Sequence, residues 1–267
     1  MKHVARKRFG QNFLVDRGVI DRIIAAVAPA AGDILVEIGP GLGALTDPLL
    51  GALPGGALHV IELDRDLAAR LKERASRVDG LSAGLHVHEA DALSFDFGAL
   101  AGPSGGLRIL GNLPYNISSP LLFHLKECAS CVVDQHFMLQ REVVERMVAL
   151  PGSPAYGRLS VMLRVSYAME PLFEVAPEAF EPAPKVHSAV VRMVPLGKQA
   201  ATILDRDGFA NLVRHAFSQR RKMLRNTLAE FDRVVPMSAY GLDPSARAET
   251  IAPDSYVAYA NALSRAG

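Results

Sequence analysis

Residues 34–43 read Ile-Leu-Val-Glu-Ile-Gly-Pro-Gly-Leu-Gly, and this stretch decides the fold. Its first five residues are mostly apolar, which is typical of a short buried strand. The glycines that follow let a ligand lie directly against the backbone, where a side chain would collide with it. A strand that runs into such a turn and then into a helix is typical of a nucleotide-binding parallel sheet.

Strand–helix alternation continues on both sides of this stretch. The preceding residues 16–27 have the apolar spacing of an N-capped amphipathic helix. Further strands, with helices between them, are predicted at residues 57–63, 85–88, 107–110 and 132–139. Such alternation predicts an α/β domain in which helices cover both faces of a parallel sheet.

The strand signal does not continue to the end of the chain. Helical spacing alone is found at residues 209–217, 220–231 and 254–263. We therefore predict two domains, an α/β domain at residues 1–196 and a small all-α domain at residues 197–267.

The glycine turn and the acidic ends of the strands predict an adenosine-containing cofactor. Residues 39–44 satisfy the loose pattern Gly-x-Gly-x-x-Gly/Ala, which leaves both NAD and S-adenosylmethionine open. Glu62 and Asp64 end the next strand, where an acidic side chain can hold ribose hydroxyls. Two further acids favour the methyl donor. Glu37 can interact with its cationic groups, and Asp91 can accept a hydrogen bond from its adenine amino group, although Asp91 can equally cap a helix.

A second motif, Asn112-Leu113-Pro114-Tyr115, follows the strand predicted at residues 107–110. The exocyclic nitrogen of adenine is a poor nucleophile, and its methylation needs two acceptors that hold the amino hydrogens. The amide oxygen of Asn112 can be one acceptor, and a main-chain carbonyl of Leu113 or Pro114 the other. Tyr115 offers a ring on which the base can stack. No strong base is needed, because the methylated product is acidic enough to lose its proton, so positioning and electrostatics carry the rate.

Six ordered segments carry a family resemblance, and they lie at residues 7–14, 36–43, 61–66, 111–121, 156–160 and 180–190. On these segments the chain resembles the rRNA adenine-N6 dimethyltransferases, specifically the bacterial small-subunit (16S) enzymes whose loss gives kasugamycin resistance. The resemblance implies a Rossmann-like class I fold that uses S-adenosylmethionine. It also implies dimethylation of two adjacent adenines in the 3′-terminal hairpin of 16S rRNA, late in 30S assembly.

The same resemblance, with the glycine turn, predicts the site residues. The predicted cofactor-binding residues are Asn12, Leu14, Gly39, Gly41, Glu62, Asp91 and Asn112. Phe180 would form a second aromatic wall that sandwiches the flipped base against Tyr115. The alternative for Phe180 is packing in the core, where Phe is usually found. The predicted catalytic residues are therefore Asn112, Leu113, Pro114, Tyr115 and Phe180.

The overall charge of +1 hides two basic ends. Residues 1–22 carry a net charge of +4 and residues 197–267 carry +3, whereas the remainder carries −6. Basic ends predict contact with RNA phosphates, although an ordinary solvated surface can have the same composition. The predicted RNA-binding residues are Arg6, Lys7, Arg8, Arg220, Arg221, Lys222 and Arg225.

Two cysteines in a chain of this length imply no disulfide framework, which suits a reducing compartment. No run approaches 18 apolar residues, so we predict no membrane span and expect a cytoplasmic protein. We also expect the protein to be monomeric. Cys128 and Cys131 form a single C-x-x-C with His124 and His136 nearby. A structural zinc site needs four compactly spaced ligands, so packing is the better account and no metal is predicted.

Three other functions stay open from the residues. A 23S rRNA adenine methyltransferase of the macrolide-resistance type shares the fold and an Asn-x-Pro-Tyr motif, whereas DNA adenine methyltransferases usually carry Asp/Asn-Pro-Pro-Tyr. An RNA-binding assembly factor with secondary catalysis is the second alternative. An NAD-dependent oxidoreductase is the third, and it rests only on the glycine turn. Residues 7–14 and 184–192 favour the small-subunit family.

Overall fold

The computed structural model describes residues 11–76, 84–102, 106–219 and 221–266. Four of the predicted RNA-binding residues lie outside this part of the chain, namely Arg6, Lys7, Arg8 and Arg220.

Two compact units make up the chain. The first comprises Met1–Val144 and Glu170–Pro195, and the second comprises Glu145–Met169 and Leu196–Gly267. The sequence predicts a single boundary after residue 196, whereas the contacts place Glu145–Met169 with the C-terminal residues. This segment bonds within the second unit, where the Tyr156 hydroxyl donates to the Ile251 carbonyl at 2.9 Å.

The strands, in chain order, are β1 (Phe13–Leu14), β2 (Ile34–Ile38), β3 (Ala57–Glu62), β4 (Gly84–Glu89), β5 (Leu107–Asn112), β6 (Val132–Gln140), β7 (Tyr167–Val175), β8 (Phe180–Glu181) and β9 (Ser188–Pro195). Seven of them form one sheet in the order β4-β3-β2-β5-β6-β9-β7, while β1 pairs antiparallel with β8. From β4 to β6 the sheet is parallel, as the alternation predicts. Beyond β6 the sheet is no longer parallel, because β9, which the sequence did not predict, runs antiparallel to β6.

The helices that accompany the five parallel strands, β2 to β6, are α1 (Arg17–Val27), α2 (Thr46–Ala52), α3 (Arg65–Ala75), α4 (Ser118–Glu127) and α5 (Arg141–Val148). α1 begins after Asp16, whose side chain accepts a hydrogen bond from the N–H of Val19 at 3.0 Å. α2 begins only at Thr46. The turn before it continues through Gly43, whose φ of 86° is not helical.

The second unit is mostly helical, and its helices after α5 are α6 (Arg158–Arg164), α7 (Arg206–Ala216), α8 (Leu224–Thr227), α9 (Ala229–Val234) and α10 (Pro253–Ala266). The prediction of one helix over residues 220–231 is wrong. Met223 is extended and bridges Arg247 on another segment, so helix begins only after it. Leu228 then interrupts the helix, with φ −116° and ψ 18° between α8 and α9.

The central strands of the sheet are completely buried, and this burial fixes the position of the turns at their carboxyl ends. Leu35 and Val36 on β2 and Leu58 and Val60 on β3 are all 0% exposed. Near-continuous burial is what a parallel sheet covered on both faces requires. β2 has β3 on one side and β5 on the other, so the strand order reverses at its carboxyl end, where sheets of this kind bind ligands.

Arg108 on β5 joins three parts of the first unit. Its guanidinium lies 2.7 Å from Asp33 and 2.9 Å from Asp134 on β6, and it also donates to the carbonyl of Val27 at the end of α1. The side chains of Arg108 and Asp134 are only 13% and 5% exposed. Removing one partner of such a pair leaves the other charge buried and uncompensated.

We expect Arg108→Ala to lower the free energy of unfolding by about 3 kcal/mol, because Asp134 would lose its nearest cation. Urea denaturation followed by circular dichroism measures this change. Arg65→Ala is the matched control, since Arg65 forms an exposed ion pair with Glu89 and should cost less than about 1 kcal/mol. Equal losses for the two variants would contradict the assignment.

Candidate active site

A cavity of about 350 Å³ lies in the first unit, at the carboxyl ends of β2, β3 and β5. Its volume is within the range of small-molecule sites. All seven predicted cofactor-binding residues and four of the five predicted catalytic residues line it, namely Asn12, Leu14, Gly39, Gly41, Glu62, Asp91, Asn112, Leu113, Pro114 and Tyr115. Residues distant in the sequence therefore meet around one space.

The glycine turn presents backbone rather than side chains to the cavity. Gly39 and Gly41 have φ values of 67° and 57°, a left-handed conformation that other residues rarely adopt. A Cβ atom on Gly41 would lie 3.1 Å from the ring of Phe13, so space is short there as well. The turn is held by Gly39, whose N–H donates to the Ile61 carbonyl at 2.9 Å.

Glu37, at the end of β2, is a buried carboxyl group that faces the cavity. Burial raises its pKa to about 7, while a hydrogen bond from the Thr46 hydroxyl at 2.6 Å opposes that rise. The nearby Glu62 raises the pKa further. A cationic ligand in the cavity would lower the pKa of Glu37 again, because it favours the ionised carboxylate.

Glu62, at the end of β3, accepts two backbone hydrogen bonds. The N–H of Gly41 donates to one carboxylate oxygen at 3.1 Å, and the N–H of Asp64 donates to the other at 2.8 Å. Burial nevertheless raises the pKa of Glu62. Each carboxylate oxygen has a second lone-pair position, so Glu62 can still accept from ribose hydroxyls. Asp64 does not line the cavity and instead caps α3.

Asp91 closes a turn rather than capping a helix, and it also lines the cavity. One carboxylate oxygen accepts from the N–H of Leu93 at 2.9 Å and so closes a turn. Asp91 is exposed and lines the cavity at the same time. Closing the turn therefore does not prevent it from accepting a hydrogen bond from a ligand.

The amide group of Asn112 has a defined orientation. Its Nδ2 donates to the main-chain carbonyl of Asn12 at 3.0 Å. Because a carbonyl can only accept, the NH₂ group must face Asn12, which leaves the Oδ1 atom as an acceptor at the cavity. This is the atom that the sequence argument assigned to an amino hydrogen of adenine.

The structure distinguishes the two carbonyls proposed as the second acceptor. The Pro114 carbonyl already accepts from the Ser118 hydroxyl at 3.0 Å and from the N–H of Ile117 at 3.2 Å. A carbonyl oxygen has two lone pairs, so both are engaged. Leu113 donates its own N–H to Met138 at 3.1 Å and has no hydrogen bond to its carbonyl among the described residues. The Leu113 carbonyl is therefore the better second acceptor.

The two aromatic residues predicted to hold the base differ in position. Tyr115 lines the cavity, and its hydroxyl lies 3.0 Å from the Ser188 hydroxyl. Phe180 is 4% exposed and belongs to the hydrophobic core, where β8 pairs Phe180 with Leu14. The structure does not bring Phe180 to the cavity wall, and its burial agrees with the packing alternative.

Sequence reasoning missed three hydroxyl groups that support this site, those of Thr46, Ser118 and Ser188. Each is buried and bonds a residue that the motifs did predict. Ser118 follows Pro114 by one helical turn, so helical spacing was an available signal for it. Thr46 bonds Glu37 across the glycine turn, and no local spacing indicated that contact. Ser188 is remote in sequence from Tyr115 and gave no such signal.

Cys128 and Cys131 are free thiols. Burial raises the pKa of Cys128 to about 11, which makes it a weak ligand and a weak nucleophile at neutral pH. Within the described ranges, no group of three or more His, Cys, Asp or Glu side chains is arranged to hold a metal ion. No helix in the same ranges is long and apolar enough to cross a membrane.

A sheet that reverses its order beside a glycine turn, with acids around a cavity of about 350 Å³, fits a nucleoside ligand. The likeness to solved methyltransferases completes this description. A dimethyladenosine transferase from Plasmodium falciparum superposes with a TM-score of 0.77 at 24% identity, covering 96% of this chain and 98% of its own. The 23S rRNA methyltransferase ErmE superposes with a TM-score of 0.66 at 25% identity, covering 95% and 100%. The fold and site define a Rossmann-like methyltransferase that uses S-adenosylmethionine.

Sequence comparison gives the family. The model for "Ribosomal RNA adenine dimethylase" matches residues 2–265. Two relatives called "Ribosomal RNA small subunit methyltransferase A" are similar over nearly their full length. The one from Burkholderia pseudomallei is 56% identical over 99% of this chain and 95% of its own, and the one from Burkholderia multivorans is 57% identical over 98% and 94%. The chain belongs to the ribosomal RNA adenine dimethylase family.

We expect the affinity for S-adenosylmethionine to depend on pH through Glu37. Its pKa of about 7 means that raising the pH through 7 ionises the carboxyl group, and the ionised form attracts a cationic ligand. The dissociation constant should therefore fall by about tenfold between roughly pH 6 and pH 8. Isothermal titration calorimetry at several pH values measures this.

Two variants control that experiment. Glu37→Gln cannot ionise and should lose the dependence, whereas Glu178→Gln changes an exposed glutamate of the same unit and should keep it. A flat profile in the unmodified protein would rule out Glu37 as the group that meets the cation.

Proposed function

We propose that this chain transfers methyl groups from S-adenosylmethionine to the N6 atoms of two adjacent adenines in the 3′-terminal hairpin of 16S rRNA, dimethylating each. The orientation of the Asn112 amide carries this proposal, because it presents a fixed acceptor beside a cavity suited to the methyl donor. The names of the relatives that are 56–57% identical support the small subunit as the source of the RNA.

The chemistry follows from the two acceptors. The Asn112 Oδ1 atom and the Leu113 carbonyl would each accept one amino hydrogen of the adenine, with Tyr115 stacked on the base. Holding both hydrogens draws the nitrogen lone pair out of conjugation and toward the methyl group. The nitrogen then attacks the methyl carbon while the carbon–sulfur bond breaks, and the product loses its proton afterwards. Positioning and electrostatics supply the rate.

The methyl donor would be held by the acids and the glycine turn. Glu37 lies where it can meet a cationic group, Glu62 where it can accept from the ribose, and Asp91 where it can accept from the adenine amino group. The backbone at Gly39 and Gly41 would lie against the methionine part. Asn12 and Leu14 would close over the donor, since Asn12 already contacts Asn112.

RNA phosphates would be met by the basic residues of the second unit. Arg221, Lys222 and Arg225 are exposed, and their side chains have no ion pair with any described residue. Arg221 and Lys222 lie in the turn before α8, and Arg225 lies in α8 itself, so these three charges are not spread around one helix. Arg6, Lys7, Arg8 and Arg220 belong to the same proposal on sequence alone.

The proposed substrate indicates where in the cell and on which particle the enzyme acts. An rRNA hairpin of the small subunit is available in the cytoplasm during assembly, so we expect the chain to act there, as a monomer, on an immature 30S particle. A 23S rRNA substrate is the competing possibility, because ErmE shares the fold at 25% identity.

The decisive experiment offers the protein three substrates. Undermethylated 30S subunits, mature 50S subunits and duplex DNA are incubated separately with labelled S-adenosylmethionine, and the modified bases are mapped. We expect label on two adjacent adenines near the 3′ end of 16S rRNA. Label confined to 50S subunits or DNA would overturn the proposal.

We expect Asn112→Ala to lower kcat at least about a hundredfold, as removal of a single positioned hydrogen-bonding group does in other enzymes. The melting temperature should change little, because Asn112 is only half-buried. Asn226→Ala, an exposed asparagine of the second unit, is the control and should keep its activity. Near-normal turnover in Asn112→Ala would refute its role as an acceptor.

We expect replacement of Arg221, Lys222 and Arg225 by Ala to reduce the salt dependence of RNA binding. Neutralising three phosphate contacts should lower the slope of log K against log salt by about 2. Filter binding to the 3′-terminal hairpin at several salt concentrations measures the slope.

The matched control replaces three exposed arginines elsewhere in the same unit, Arg206, Arg233 and Arg265. It removes the same charge and should leave the slope nearly unchanged. Identical slopes for both triple variants would show that net charge alone, and no particular surface, attracts the RNA.

A further inference from the structure

Ser188 is a buried residue that none of the chemistry above uses. It lies in the segment at residues 184–192 that the sequence analysis singled out, at the first position of β9, and it is 1% exposed. Its hydroxyl lies 3.0 Å from the hydroxyl of Tyr115. Among the described residues it has no other hydrogen-bond partner.

The backbone around Ser188 is a rigid anchor. Ser188 is paired with Gln140 on β6, and the carbonyl of the preceding residue, His187, accepts from the N–H of Arg141 at 3.0 Å. Tyr115, by contrast, lies in the turn after β5, where no ladder holds its backbone. The hydroxyl–hydroxyl bond therefore ties Tyr115 to β9, a strand two places from β5 in the sheet.

Fixing the hydroxyl fixes the ring. A tyrosine side chain has two rotatable angles, and its hydroxyl lies on the axis of the ring at the far end. Anchoring the Cα at one end and the hydroxyl oxygen at the other fixes the long axis of the ring. Conjugation keeps the phenolic O–H bond in the plane of the ring, so the direction of the hydrogen bond to Ser188 also favours one orientation of that plane. Because the Tyr115 ring lines the cavity, this anchor determines which way its face is presented.

We propose that Ser188 is a positioning residue that holds the Tyr115 ring in the orientation on which the target adenine stacks. This rests on the proposed function, in which Tyr115 stacks the base. Ser188 acts only through the Tyr115 hydroxyl and touches neither the base nor the methyl donor. It follows that the two hydroxyls form one unit, and losing either is equivalent to losing both.

A double-mutant cycle tests this with Ser188→Ala, Tyr115→Phe and the double variant. Tyr115→Phe keeps the stacking ring and removes only the hydroxyl. We expect each single variant to lower kcat/KM for the 30S substrate by about tenfold, with KM for S-adenosylmethionine unchanged. The double variant should match the single variants within about twofold. Additive losses, or no loss in Ser188→Ala, would overturn the proposal.

A control separates positioning from loss of any buried serine. Ser160 is fully buried in the second unit, and its hydroxyl bonds the backbone of Arg146 and Gly157. Ser160→Ala should lower the melting temperature without changing kcat/KM for the folded protein. An equal loss of kcat/KM in Ser160→Ala would show that the effect of Ser188→Ala is general destabilisation.

A measurement that needs no activity keeps the two proposals distinguishable. The chain has six tyrosines, so ring-labelled tyrosine gives few NMR signals, and Tyr115→Phe assigns the one of interest. Ser188→Ala should shift the Tyr115 ring signal and leave the other five in place. If no substrate is methylated but this shift is seen, the proposed function fails while the anchor stands. An unshifted Tyr115 signal would overturn the anchor whatever the activity.

Discussion

The close approach of β2 and β5 is the constraint on which the rest of the site depends. The two strands pair directly, and a Cβ atom on Gly111 would lie 2.5 Å from the carbonyl oxygen of Ile38. Only glycine fits at that distance, so the strands converge just before they end. The glycine turn after β2 and Asn112 at the end of β5 consequently face the same space. Every later contact, including the Asn12–Asn112 bond, is made within the frame that this convergence sets.

Much of the parallel part of the sheet could be predicted from the sequence, because the sequence signals of its elements are local. β2 is apolar and is followed by glycines, Asp16 caps α1, and the reactive motif follows β5, so each element could be placed without knowledge of its neighbours. The elements that the sequence did not predict depend instead on contacts between residues that are distant in the chain. β7 alternates irregularly between buried and exposed residues and carries no clean period, and β9 is defined by its antiparallel partner β6. The late start of α8 depends on Met223 bridging Arg247, a contact that no local pattern contains.

The same distinction applies within the site. Motifs identified the groups that line the cavity, since a carboxylate after a strand or an amide before proline is visible in the sequence. They did not identify what holds those groups. Whether Leu113 or Pro114 offers its carbonyl depends on the Ser118 hydroxyl, and the pKa of Glu37 depends on burial together with Thr46 and Glu62. Support of this kind is distributed over several elements, so it appears only when the chain is folded.

The two acceptors at the reactive segment bear on how a methylated adenine would leave. In the proposed mechanism, an unmodified amino group would offer one hydrogen to Asn112 and one to Leu113. The first methyl transfer removes one of these hydrogens and the second removes the other, while both acceptors stay where the fold holds them. A dimethylated base would therefore leave two oxygens without donors, a loss that disfavours bound product. In this mechanism the two acceptors that activate the substrate also lower the affinity for the dimethylated product. Product release is therefore favoured once both amino hydrogens have been replaced by methyl groups.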